Sequence, residues 1–459
     1  MSSWVDHVMW WHVYPLGFLG ANVRPPHDGA PTGETPDAPE HRLGRIEAWL
    51  DHVVDLGLNG LALGPVFASS THGYDTVDHF RIDPRLGDDS DFDRLVAAAH
   101  ERGIRVLLDG VFNHVGRAHP AFAALEQQGP DAETAALFRV DWSGWQLGDP
   151  VRADVFEGHE QLVALDHSSP AVAELVVEVM TYWLGRGADG WRLDAAYAVP
   201  PTFWAGVLPR VREAHPEAWF TGEVIHGDAL AIVAESGLDS LTQYELWQGV
   251  WHGISDANLF ETKHAIERGN ELLEGFVPTT FVGNHDVTRI ASAVQDARHL
   301  PHALALLFTL AGTPMVYAGD EYGLQAVKEE RLGGDDAVRP EFPPAPPEAS
   351  GLPAALSAAG VSGVPDDAAS VLALHGELIA LRRRNPWLHS ARSDVVHVSN
   401  TALVVRTATG SGAVVTALNL ADEPVAVPAG GATSVLAGSA SLAAGRASLP
   451  AHGWAVLGG

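Results

Sequence analysis

Five acidic residues stand where runs of strand-like sequence end: Asp109, Asp194, Glu223, Asp286 and, less cleanly, Asp320. Two of them come with a histidine and an asparagine, in Asp109-Gly-Val-Phe-Asn113-His114 and Asn284-His285-Asp286. Asp194 has Arg192 two residues before it, so on a strand both side chains leave by the same face. A single carboxylate at a strand end is ordinarily a helix N-cap or a loop acceptor. Three or more at a common mouth, flanked by His and Arg, are too many to be caps. The chain has no cysteine, so thiol and Cys-metal chemistry are excluded. Two chemistries remain for the carboxylates. Asp, Glu and His can ligate a metal, or a carboxylate pair can cleave a glycosidic bond as nucleophile or base and as protonated acid. There is no His-Glu-x-x-His run, and the aromatics favour sugar. Tyr74, Trp142, Trp145, Trp247, Trp251 and Phe260 fall in loop-like sequence where flat faces can stack on pyranose rings, although most of the 14 Trp residues belong to the core.

The elements that must position these residues alternate along the chain. Strand-like runs are expected at Val8–Tyr14, Gly60–Leu63, Ile104–Asp109, Gly190–Asp194, Trp219–Glu223, Ser240–Tyr244, Phe276–Val282 and Pro314–Tyr317. Helical periodicity separates them, as at Arg45–Leu56, Phe92–Arg102, Ala171–Arg186 and Leu259–Leu273. Such alternation means parallel strands with crossover helices. Periodicity alone does not separate a barrel from an open sheet, but a count near eight points to a (β/α)8 TIM barrel, whose strand ends converge on one face. His114–His167 is long, Gly/Pro-rich and aromatic, and is read as a small inserted subdomain after strand 3. Gly333–Pro365 is read as a long loop. From about Ser393 only short strands remain, which predicts a C-terminal antiparallel β-sandwich. The domain reading is 1–113 and 168–391 for the barrel, 114–167 for the insert and 392–459 for the sandwich.

Composition narrows the partners. With 28 basic against 58 acidic residues the formal charge is −30, which repels phosphate backbones and anionic membranes, so neither nucleic acid nor membrane is expected. The first 17 residues lack a basic start, a long apolar run and a cleavage site. No run reaches the ~18 apolar residues of a spanning helix; the longest, Ala303–Tyr317, contains Gly312 and Pro314 and fits a buried helix and strand. The expected location is cytoplasmic.

Taken in order, the motifs resemble those of the α-amylase superfamily of retaining glycosidases, glycoside hydrolase family 13. They are Asp109-Gly-Val-Phe-Asn-His114, Gly190-Trp-Arg-Leu-Asp194, Gly222-Glu223-Val and Phe281-Val-Gly-Asn-His-Asp286. Gly57–Pro65, Leu165–Pro170, Gly312–Glu321 and His72-Gly-Tyr-Asp75 are similar too. The resemblance implies Asp194 as nucleophile, Glu223 as general acid then base, and Asp286 as the carboxylate that grips sugar hydroxyls and favours ring distortion. It implies that Arg192 holds Asp194 ionised, that His114 and His285 donate to the same ring, and that Tyr74 forms its stacking floor. Asp109, with Asn113, shapes the mouth of the substrate-binding set. Trp142, Trp145, Trp247 and Trp251 are candidate subsite walls. No catalytic metal and no cofactor are expected; a structural calcium is left open, since Asn113 matches one ligand of the family's ion while other parts of that site are missing.

Departures refine the resemblance. Asp194-Ala-Ala-Tyr-Ala198 lacks the Lys-His of secreted α-amylases, and Ala195 stands where α-1,6-specific enzymes often have Val. His72–Asp75 and Tyr244–Trp251 look like the cyclomaltodextrinase, neopullulanase and maltogenic amylase branch, without its extra N-terminal β-domain. The implied function is hydrolysis of short or cyclic α-glucans, mainly at α-1,4 bonds, with cyclic maltosyl-maltose among the candidate substrates. A transglucosidase using the same intermediate is the alternative, and an inactive sugar-binding protein the remote one. Monomer and homodimer both stay open.

Overall fold

The computed structural model describes residues 4–21, 38–331 and 333–459; residues 1–3, the head of the segment read for a targeting signal, lie outside it. Eight parallel strands carry the fold: β1 (Trp10–Val13), β2 (Gly60–Leu63), β3 (Arg105–Gly110), β4 (Gly190–Leu193), β5 (Trp219–Gly222), β6 (Ser240–Leu241), β7 (Thr279–Thr280) and β8 (Thr313–Tyr317). Their order is β6-β5-β4-β3-β2-β1-β8-β7, and a parallel bridge between Thr242 and Thr279 joins the two ends. The fold is a (β/α)8 barrel. Every residue of β1, β2, β4, β5 and β8 is buried. Such strands are covered on both faces, which is why they read as unbroken apolar runs rather than alternating ones.

Compactness divides the chain into two units, one of residues 13–50 and 61–239 and one of residues 2–12, 51–60 and 240–459. In the first, α2 (Asp89–Glu101) starts at a capping box made by Asp88 and Asp91. Helix α3 (Pro170–Gly185) starts at Ser169, which caps Ala171 N–H, with Pro170 in the first turn; α4 (Pro201–Ala214) and α5 (Ala229–Ser236) follow. Gly190 is fixed by packing, since a Cβ there would lie 2.2 Å from the Trp219 carbonyl oxygen of β5. Between residues 114 and 167, strands His114–Gly116 and Leu162–Ala164 pair antiparallel, and a helix spans Pro120–Gln128. Phe122, Leu125, Phe138 and Val163 are buried there. The loop with His72–Asp75 joins the antiparallel strands Phe67–Ser69 and Thr76–Ile82.

In the second unit, the apolar run starting at Ala303 resolves into α8 (Leu300–Thr309) and β8. Helix α8 is apolar almost all round because the C-terminal strands cover it: Thr309 Oγ1 meets Thr416 Oγ1 at 2.7 Å, and His302 Nε2 donates to the Asn419 carbonyl at 3.1 Å. Those strands are β9 (Arg392–Val398), β10 (Ala402–Thr409), β11 (Gly412–Asn419), β12 (Val425–Pro428), β13 (Ser434–Gly438), β14 (Ser441–Ala443), β15 (Arg446–Leu449) and β16 (Trp454–Gly458). They form a five-stranded sheet, β9-β10-β11-β16-β13, and a three-stranded one, β12-β15-β14. Val404, Val415, Ala417, Val427, Ala447 and Leu457 are among the side chains of their shared core.

Four expectations change. Arg45–Leu56 is two helices, Gly44–Glu47 and α1 (Leu50–Leu56), with Ala48 and Trp49 between them. Ser240–Tyr244 and Phe276–Val282 shrink to the two-residue strands β6 and β7, and Tyr244 opens helix α6 (Tyr244–Ser255). Trp247 and Trp251 therefore ride on a helix, and Phe260 on α7 (Leu259–Leu272), rather than on loops. The stretch read as a loop before α9 (Ala368–Arg384) contains a further helix, Leu352–Ala358, with Leu352 and Leu356 buried. Among the described residues no helix is long and apolar enough to cross a membrane.

Candidate active site

In the first unit, strands β3, β4 and β5 end side by side. Asp109 and Arg192 are register partners across β3 and β4, and Leu193 faces Gly222 across β4 and β5. The ladder runs one residue past the strand ends: Asp194 N–H donates to the Gly110 carbonyl at 3.0 Å, and Glu223 N–H to that of Leu193 at 2.8 Å. Backbone pairing thus holds both carboxylates at the same edge.

Arg192 is the hub. Its Nη1 donates to both oxygens of Asp109 at 2.7 and 2.6 Å, and lies 3.5 Å from Asp194 Oδ1; its Nη2 is 2.7 Å from Glu223 Oε1. The expected bond from Arg192 to Asp194 is present at 3.5 Å, and shorter contacts go to Asp109 and Glu223. The reason is register, because the strand pairing sets Asp109 directly beside Arg192. Burial and the three carboxylates act oppositely on the guanidinium, and the carboxylates win, holding it firmly protonated. Asp109 is 0% exposed. Burial pushes its carboxyl up to about 6, against the pull of Arg192.

The second oxygen of Glu223 accepts the Ala195 N–H at 3.0 Å. Ala195 has φ +46°, in the left-handed region, so a sharp turn directly after Asp194 aims this N–H back at Glu223. Tyr74 donates its hydroxyl to Asp109 Oδ2 at 3.2 Å. The loop bearing it turns at Gly73, with φ +88°, where a Cβ would lie 2.8 Å from Pro65 Cβ. His114 Nε2 donates to the Tyr74 carbonyl at 2.9 Å, and Asn113 Nδ2 donates to its Nδ1 at 3.1 Å. Both ring nitrogens face partners within the protein, and His114 thereby holds the Tyr74 loop. Burial lowers its pKa to about 3, which keeps it neutral. Phe156 stacks on it with centroids 4.8 Å apart.

In the second unit, Asp286 follows β7 on a loop and is the most open of the acids, its side chain 33% exposed. Arg339 Nη2 donates to Asp286 Oδ1 at 2.6 Å and also pairs with Asp335, and its Nε donates to the His285 carbonyl at 2.8 Å. His285 Nε2 lies 3.1 Å from Asp286 Oδ2, and Asp286 N–H is held by Asn284 Oδ1 at 2.9 Å. Asp320 is structural: it is buried against Arg289 at 2.7 Å.

The Trp candidates separate. Trp142 and Trp145 meet edge to face at 5.0 Å in an exposed stretch of the insert. Trp145 packs on Gly129, where a Cβ would lie 2.4 Å from its ring, and its Nε1 donates to the Asp149 carbonyl. Trp247 and Trp251 pack on each other along α6 with centroids 5.9 Å apart, both indole N–H groups buried. Asn113 is bonded to His114, and Arg139 lies 3.3 Å from Asp154 and 3.8 Å from Asp166. Arg339 and Phe156 were not singled out in the sequence; the first sits in a Pro-rich stretch with no periodic signal.

A parallel barrel with an Arg-centred carboxylate cluster at the C-terminal ends of three successive strands is the design of a glycosidase of the α-amylase class. Residues 43–342 match the family model for the α-amylase catalytic domain, and the chain belongs to that family. A cyclomaltodextrinase of a Bacillus species is 32% identical over 70% of this chain and 60% of its own length. The Bacillus subtilis intracellular maltogenic amylase is 29% identical over 70% of this chain and 56% of its own. The chain thus spans less than two thirds of these relatives. Among solved structures, the cyclic α-maltosyl-(1→6)-maltose hydrolase of Arthrobacter globiformis covers 99% of both chains at a TM-score of 0.78 and 25% identity.

Proposed function

We propose that this protein is a retaining α-glucoside hydrolase acting on short or cyclic α-glucans, mainly at α-1,4 bonds. The observation that carries the proposal is the Arg192 cluster, which gathers Asp109, Asp194 and Glu223 at one edge of β3, β4 and β5. Asp194 attacks the anomeric carbon while Glu223 gives its proton to the departing glycosidic oxygen, leaving a glycosyl ester on Asp194. Glu223 then takes a proton from water, whose oxygen attacks the same carbon, and the ester breaks to return Asp194 with retained configuration. Both oxygens of Glu223 accept protein donors in this structure, so proton donation requires the carboxyl to release one of them as substrate enters. Asp286 grips sugar hydroxyls, held in place by Arg339. The reaction needs no metal. The proposed location is cytoplasmic, in keeping with the maltogenic relative named as intracellular.

The test is product analysis with maltotriose, cyclomaltodextrins, pullulan, cyclic maltosyl-maltose and soluble starch, with the anomer followed by NMR. The expected outcome is initial release of the α-anomer, fastest on the small and cyclic sugars, and unchanged activity after exhaustive chelation. Sugar-to-sugar transfer outrunning hydrolysis would identify a transglucosidase, and release of the β-anomer would overturn retention.

A further inference from the structure

Away from the acid cluster, two histidines and an aspartate meet in the second unit. Asp296 and His299 precede α8, and His452 lies in the turn between β15 and β16. One ligand atom from each falls within 4.8 Å of the others. We propose that these three residues bind one divalent transition ion of the zinc class, which clips the start of α8 to the C-terminal sandwich.

The orientation of the rings supports this. His299 Nε2 and His452 Nδ1 face each other at 2.9 Å. On its far side His452 Nε2 donates to Asp422 Oδ1 at 2.8 Å. That bond fixes the proton on Nε2 and turns the Nδ1 lone pair toward His299. A carboxylate behind a ligating imidazole is the usual outer partner of a zinc histidine, where it sets the tautomer and raises basicity. Two imidazoles on one ion at ~2.0–2.1 Å stand roughly 3.3 Å apart when tetrahedral, so a widening of a few tenths of an ångström suffices, with His299 moving its proton to Nδ1.

The neighbours of the site are compatible with a cation. His299 is mostly buried. His302 lies edge-on to His299 at 5.1 Å and donates its own Nε2 to the Asn419 carbonyl. Arg298 is the opposing charge: its guanidinium donates to both oxygens of Asp296 and its backbone N–H donates to Oδ1 at 3.0 Å. An ionised carboxylate has about four acceptor positions, and Arg298 fills them here, so ion binding requires Asp296 to release one of these bonds. Two nitrogens and one carboxylate suit Zn2+, Co2+ or Ni2+; Ca2+, which needs six or more oxygens, is excluded.

The test uses the full chain, stripped with chelator and dialysed, and titrated with Zn2+ by calorimetry and with Co2+ by visible absorption. Expected are one equivalent bound, the intense visible band of four-coordinate Co2+, and a rise in Tm with Zn2+ but not Ca2+. His299→Ala and His452→Ala should each abolish these signals while leaving glucan hydrolysis and the circular dichroism spectrum unchanged. Asp422→Asn should weaken binding by about 10–100-fold. Absence of a Co2+ band in the wild-type chain, or Zn2+ binding that survives both histidine variants, would overturn the proposal, whatever the outcome for hydrolysis.

Discussion

Replacing Arg192 by Met tests the hub of the cluster most directly. Arg192 is 8% exposed and makes short contacts with Asp109, which is fully buried, and with Glu223. Methionine has a similar length and no charge, so packing is largely kept while two carboxylates lose their counter-ion. Removing one partner of a buried ion pair costs about 3–5 kcal/mol. The penalty should depend on pH in a definite direction. Burial already lifts Asp109 to about 6 from 3.8 with Arg192 present, and removing the cation lifts it further. A carboxyl whose folded pKa is raised contributes stability in full below its unfolded value, and that stability is lost as pH rises through the folded value. The gap between wild type and variant should therefore widen from pH 5 to pH 7.5, at up to ~1.4 kcal/mol for each pH unit in which the folded variant holds one extra proton. Urea unfolding at the two pH values gives the stabilities, and hydrolysis of maltotriose gives kcat/KM, expected to fall by orders of magnitude because Glu223 loses its guide. A penalty under ~1 kcal/mol that is the same at both pH values would refute the reasoning.

Asp194→Ala should lower kcat by several orders of magnitude with an unchanged fold, and near-wild-type turnover would remove it as the nucleophile. Ala195→Val places a β-branched residue at φ +46°; chemical unfolding should show a loss of about 1–3 kcal/mol, and kcat should fall as the N–H leaves Glu223, whereas Ala195→Gly should keep both. Trp142→Ala should raise KM for oligosaccharides by the worth of one aromatic contact, about 1 kcal/mol, while Trp145→Ala, which empties the space over Gly129, should also lower Tm. His302 is buried and its pKa is lowered from 6.5 to about 4. A histidine so depressed contributes stability above 6.5 that disappears as pH falls through about 4, a gap worth about 3 kcal/mol. His302→Gln should flatten part of the acid limb of the pH–stability curve.

The acids of the cluster were legible because each is tied to a local event, the end of a buried apolar run, and a parallel strand can place its last side chain only at one mouth. The apolar runs were legible as strands for the same reason: burial on both faces leaves an uninterrupted signal. The presence of β6 and β7 was legible but not their two-residue length, since a single bridge such as Thr242–Thr279 is made by the partner strand and leaves no periodicity. Trp247 and Trp251 were misplaced because a four-residue spacing of aromatics fits a helix face only once Tyr244 is known to start one. Above all, the sequence could list charged residues but could not pair them. It set Arg192 beside Asp194 by a two-residue spacing, whereas strand register gave the guanidinium's short bonds to Asp109 and Glu223, 83 and 31 residues away. It offered no sign that Arg339 would meet Asp286 or that His452 would meet His299. Residue type and local spacing decide which chemistry a chain can attempt; which charge faces which is decided by long-range packing, where less than an ångström separates a short bond from a long one.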